Sequence, residues 1–219
     1  MGYEWIGYAI LGGLAIFVLW VFAKNIKSDA ARSVEYDKFA QQNNYSYADT
    51  RNFETLDLPE KAWFCSRGAT AKIENILEWK EQGIQFTVFR YFYHNNRMKM
   101  SWGETVLCLK HPKFRVPWFR SWPWPEREES WWHKGWKKIC PDRPHPFFQN
   151  NVVKSKEKET VETLFTGKVL DQLAQFERTI IEGLDNYLIL IPENMLEPGH
   201  TFNKTVSNAK SLMNSLIAN

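Results

Sequence analysis

Cysteine is scarce: Cys65, Cys108 and Cys140 are the only three in 219 residues, an odd number at wide spacing. That argues against a disulfide-stapled scaffold and suits a reducing compartment. A strong excess of one charge is missing too. The formal net charge is +3 and the basic residues are spread along the chain, so the electrostatic footprint of a nucleic-acid binder is absent. There is no internal repeat and no low-complexity tract. Chemistry-bearing motifs are just as sparse: no Gly-rich phosphate loop, no H-E-x-x-H, no G-x-S-x-G, and no local signature that would activate a thiol. Glu126, Glu128 and Glu129 lie in a charged turn, where nothing suggests the burial that would separate their pKa values into an acid and a base. The sequence therefore predicts no catalytic residue and no cofactor, and favours a binding protein over an enzyme.

What the chain does have is one long uncharged run. Ile6 to Ala23, IGYAILGGLAIFVLWVFA, would be about 27 Å long as a helix, close to the hydrocarbon thickness of a bilayer. Tyr3, Trp5 and Tyr8 at one end, with Trp20 and Phe22 at the other, are rings that settle at headgroup level. A cleaved leader would start with basic residues and finish on a small-residue site, whereas here Glu4 precedes the run and Lys24 follows it. The span is expected to be retained. Lys24, Lys27 and Arg32 follow it and no Lys or Arg precedes it, which puts the N-terminus outside and the remainder in the cytoplasm. Ala9 and Gly13 form a small-xxx-small pair through which a second helix could approach, in an oligomer or with a partner. The same residues are common in any membrane helix. The expected plan is a short external N-terminus (1–5), a transmembrane helix (6–23), a stalk (24–33) and one cytosolic domain (34–219).

The domain reads as α+β. Val34, Phe39 and Ala40 suggest a first amphipathic helix that ends at Asn43-Asn44. Lys61 to Ser66, Ala69 to Leu77, Ile84 to His94 and Thr105 to Lys110 are rich in β-branched and aromatic residues and are separated by turn-forming pairs. In IQFTVFRYFY both strand faces carry large apolar side chains, so neither is expected to meet water. Phe147 to Lys154 reads as a further strand, and Glu157 to Phe176 as one helix. RTIIE and NYLILIP form an antiparallel pair joined at Gly183-Leu184-Asp185, and a last helix starts near Thr201. Strands in runs with helices at the flanks predict an antiparallel sheet flanked by helices.

This order of a single span, a short helix, a hairpin around Phe86 to Leu109, a Pro-flanked "VPWF" segment, a helix, the "IIEGLDNYLILIP" pair and a terminal helix resembles bacterial single-span membrane-anchored proteins with a cytosolic α+β domain of unknown function. The resemblance is one of layout. It implies a protein of the bacterial inner (cytoplasmic) membrane and carries over no catalytic or binding residue.

Two features are candidates for function. Between Pro117 and Lys138 lie six of the eleven tryptophans, Trp118, Trp122, Trp124, Trp131, Trp132 and Trp136, with Lys134, Lys137 and Lys138 among them. These residues could rest on an anionic lipid surface, form a protein-binding face, or, with their prolines, make an extended edge that covers the sheet. The second feature is Cys108, His111, Cys140 and His145, which could hold a tetrahedral zinc ion, although the spacing matches no well-known zinc signature. A buried cysteine and surface histidines explain the same residues. The favoured reading is a non-catalytic membrane-anchored interaction protein, a subunit or accessory factor of an inner-membrane assembly with protein partners. The alternative is a membrane-surface enzyme or metal-binding protein that uses the Cys/His cluster.

Overall fold

A computed structural model describes residues 30–62, 64, 71–95, 100–123, 135–139, 145–194 and 196–218. The span expected at Ile6 to Ala23, including Ala9 and Gly13, lies outside the described residues. Among those described, no helix is long and apolar enough to cross a membrane. The domain is α+β, as its pattern predicts. Helix α1 (30–43) leads into β1 (Ser46–Arg51), and β2 (Ala71–Glu81), β3 (Ile84–Asn95) and β4 (Met100–Lys110) form a meander. Then come β5 (Val116–Pro123), the two-residue β6 (Lys137–Lys138), α2 (Pro146–Asn150), β7 (Asn151–Ser155), α3 (Lys158–Leu164) and α4 (Gly167–Leu173). The hairpin β8 (Thr179–Asp185) and β9 (Tyr187–Pro192) and helix α5 (His200–Ala218) complete the chain. Among the described residues, nine strands join one antiparallel sheet, in the order β1-β2-β3-β4-β9-β8-β5-β7-β6.

The sheet has a core on each face, which is why β3 carries large apolar side chains on both of its sides. Phe86 and Val88 belong with Leu107, Leu109, Leu188 and Leu190 to the core that meets the helices, through Ala40, Leu173 and Leu212. On the other face, Phe89 and Tyr91 pack with Val106, Cys108, Ile189 and Ile191, and Leu56, Ala62 and Phe64 join them. Each Val, Leu, Ile or Phe among them contributes about 1.5–3 kcal/mol on burial. The strand β2 changes face through a bulge at Asn75, whose φ of 52° shifts the register between Glu74 and Leu77 and turns Ile76 and Leu77 to opposite cores. The side-chain oxygen of this buried Asn75 accepts from Tyr47 OH at 3.0 Å and lies 3.0 Å from Ser33 Oγ.

Residues 30–33, at the end of the expected stalk, are already helical and docked on the domain. Arg32 Nε is 3.7 Å from Glu197 Oε1, and one turn on, Tyr36 OH donates to Leu196 O at 2.6 Å. The backbone N–H of Leu196 in turn donates to Thr105 Oγ1 on β4 at 3.2 Å. Burial pushes the Tyr36 phenol up to about 12, with Arg90 pulling the other way, so it stays a donor at any physiological pH. Asn44 closes the helix in the left-handed region, with φ of 56°. The apolar stripe is made by Tyr36, Ala40 and part of Phe39; Val34, expected on it, is 69% exposed.

The segment beneath the sheet is pinned by Asp57, which accepts from Tyr187 OH at 2.8 Å and from Lys110 Nζ. Partial burial opposes the charge on Asp57, but the hydrogen bonds from Lys110 and Tyr187 outweigh it and lower its pKa. Burial likewise pulls Lys110 down, and its bonds to Asp57 and Tyr187 prevail and raise it. A carboxyl depressed in the folded state adds stability above its unfolded pKa, near 3.8, and loses it as pH falls through the folded value. The raised amine adds stability below its own unfolded value, near 10.5, and loses it as pH rises through the folded one. Thermal melts of Asp57→Asn are therefore expected to lie below wild type at pH 7 and to converge with it in acid. A gap that stays constant down to pH 2 would refute the role of this contact.

Several local expectations are corrected. Residues 60–62 form a turn rather than the strand expected from Lys61; residues 65–70 lie outside the described set. Phe147 opens no strand, because Pro146 takes the first helical position and the His145 ring accepts from Phe147 N–H, starting α2 before β7 begins. The single helix expected from Glu157 to Phe176 is two. The chain leaves helical geometry at Phe165, whose ring then meets Phe119 edge-on at 5.3 Å, and restarts at Gly167. The hairpin turn falls at Asp185, with φ of 53°, while Gly183 is inside β8. β5 is no edge: it is inserted between β8 and β7. Pro117 falls within its bulge and Pro123 ends it, so neither proline disrupts the ladder.

Candidate functional site

Alternation along β5 sends Phe119 to the helix-side core and Trp118, Arg120 and Trp122 to the opposite face. Trp122 is 5% exposed, with Lys154 Nζ 5.6 Å above its ring. Trp118 is half-buried; its indole N–H donates to Glu182 Oε1 at 2.6 Å, and its ring meets Trp136 edge-on at 4.9 Å. Glu182, on β8, is directly opposite Arg120 in register, and both are buried, at 1% and 5% exposure. Two of the tryptophans are thus structural parts of the sheet, sealing a buried pair of opposite charges. Trp136, against the Trp118 ring, leads into Lys137 and Lys138, which are exposed on the edge strand β6. Trp124, Trp131, Trp132 and Lys134 lie outside the described residues.

The structure describes three of the four candidate metal ligands. Cys108 is buried under β4, between Thr87 and Ile189, on the face away from the helices. His111 follows β4, and its Nδ1 accepts from Lys113 N–H at 3.1 Å. His145 caps α2 through Nδ1, and its Nε2 is 3.2 Å from Asp171 Oδ1 on α4. Cys140 is outside the described residues. Among those described, no group of three or more His, Cys, Asp or Glu is placed to hold a metal ion.

Sequence reasoning did not foresee a cavity of about 830 Å³ at one end of the sheet. Pro123 ends one strand there, Ile180 is the second residue of another, and Ile191 and Pro192 end a third; Phe147 and Phe176 close it from the helical side. Glu104, Glu177, Arg178 and Glu193 supply its charged groups, and Arg178 Nη2 donates to Glu193 Oε1 at 2.8 Å. This is the end of the sheet at which α1 starts. Leu196 and Glu197, which hold Tyr36 and Arg32, come shortly after Glu193, and Thr105, which holds Leu196, is next to Glu104. Residues so far apart in sequence leave no shared motif.

No protein-family model matches the chain, and no curated protein matches it. A match among solved structures is the crystal structure of the mycobacterial trehalose monomycolate transport factor A, TtfA. The fold is similar to that of a transport factor. The superposition covers 84% of this chain and 93% of TtfA, with a TM-score of 0.58 and 10% sequence identity. At that identity the shared property is the fold: the large antiparallel sheet and its flanking helices.

Proposed function

We propose that the chain is a single-pass protein of the bacterial inner membrane, N-terminus outside, which holds a non-catalytic interaction domain against the cytosolic face as an accessory subunit of a larger membrane assembly. The observation that carries this reading is the docking of α1. The described part of the helix, from residue 30, follows the expected span by a few residues and is tied to the domain by Arg32, Ser33 and Tyr36. The fold likeness to a transport factor supports an accessory role. Lys137 and Lys138, exposed beside Trp136, supply the aromatic and basic character of an interaction surface.

The test is in-cell crosslinking followed by recovery of the mildly solubilised full chain. One defined membrane-protein partner is expected, with its yield several-fold lower for Lys137→Glu/Lys138→Glu at an unchanged level of the chain in the membrane. Recovery from the soluble fraction would refute the anchor. A lone monomer in the membrane would refute the accessory role.

A further inference from the structure

The sheet-end cavity has a graded lining. Its floor is apolar and enclosed: Phe147, Phe176, Ile180 and Ile191 are between 2% and 8% exposed. Its rim is charged and open, with Glu177, Arg178 and Glu193 all exposed. The volume falls within the range of about 300–1,000 Å³ that small-molecule sites occupy, and the pairing of apolar walls with a few polar groups is the usual character of such sites. The charge balance narrows the choice of ligand. Among the described residues, three carboxylates, Glu104, Glu177 and Glu193, line the cavity with one guanidinium, and Arg178 is already committed to Glu193. An anionic head would be repelled at this mouth, whereas hydroxyl or amine donors would meet acceptors.

We propose that the cavity binds a single-chain amphiphile, its apolar chain on the Phe147–Ile191 floor and an uncharged or cationic, hydrogen-bond-donating head at the Glu177–Glu193 rim. The ligand class follows from the lining alone. The source, the cytosolic leaflet of the bilayer, rests on the anchor proposed above, because the cavity is at the end of the sheet where α1 enters from the expected span. Fatty acids and other carboxylate-headed chains are disfavoured despite an identical tail.

Two photoactivatable probes test this, with the same diazirine-bearing alkyl chain and either a maltoside or a carboxylate head, each incorporated into zwitterionic nanodiscs with the full-length protein. The maltoside probe is expected to label peptides from α2 and the β8–β9 hairpin. The carboxylate probe should label them about tenfold less, the factor that about 1.4 kcal/mol of head-group discrimination gives. Ile180→Trp, which fills the floor, is expected to abolish that label, and Ala174→Trp, which intrudes from the end of α4, serves where Ile180→Trp misfolds. Equal labelling by both heads, label that persists in the filled variants, or no label at these peptides would each overturn the proposal. Label on the peptide containing residues 6–23 is a separate readout of the anchor. Its absence beside a labelled cavity would remove the membrane source and support the ligand class.

Discussion

Glu182→Ala is expected to destabilise the domain by about 3–5 kcal/mol, the range for deleting one member of a buried charge pair. Two losses combine. The Trp118 indole loses its acceptor, and Arg120, which is 5% exposed, loses the carboxylate across from it in the ladder. Glu182→Gln keeps an acceptor for the indole while removing the charge, and so is expected to fall between alanine and wild type. The double change Glu182→Leu/Arg120→Leu removes both charges and is expected to recover most of the loss, since a buried pair can often be replaced by apolar residues at little cost. Urea denaturation of the full chain in mild detergent, followed by far-UV circular dichroism, would order the four proteins. If Glu182→Ala unfolded at the wild-type midpoint, this pair would be irrelevant to stability.

The second large effect is expected at the neighbouring residue. A Cβ on Gly183 would come within 2.2 Å of Phe119 Cε1 and 2.8 Å of two further ring atoms. The ring has little room to yield: Phe119 is fully buried and braced edge-on by Phe165. Gly183→Val is expected to cost at least about 3 kcal/mol, the upper end of ordinary overpacking, and Gly183→Ala somewhat less. Phe119→Leu is destabilising by itself because it leaves space above Gly183. Combined with Gly183→Ala it is expected to lose less than the sum of the two single changes, which a double-mutant cycle would measure. Strict additivity would mean that the ring and the glycine are not packed as described.

Local patterns forecast those parts of the fold that depend on local patterns. β3 and β4, the β8–β9 pair and the C-terminal helix were legible because their apolar spacing is set by burial that each element experiences along its whole length. The interior placement of β5 was not. Its prolines read as edge residues, and only the bulge at Pro117 and the strand end at Pro123 reconcile them with a ladder on both sides. β1, SYADTR, was missed because it is largely exposed and has no apolar alternation to show. Gly183 reads as a turn residue in the sequence, whereas its lack of a side chain serves the Phe119 ring. Of the candidate site, the aromatic and basic content was visible in the sequence, but the inward direction of Trp118 and Trp122 was set by the partners of β5 on either side. The cavity was invisible because its walls come from six elements that only the finished topology brings together.

The sheet order also fixes when the domain can be completed during synthesis. β4 and β5 are both made before the β8–β9 hairpin, and each waits for it before one of its long edges is paired. A nascent chain stopped before Thr179 would hold two unpaired ladders of Val, Leu and Trp residues, a template for association with other chains. The β8–β9 hairpin is thus the closing segment of the sheet, and the free edges of β4 and β5 stay unprotected until it is made.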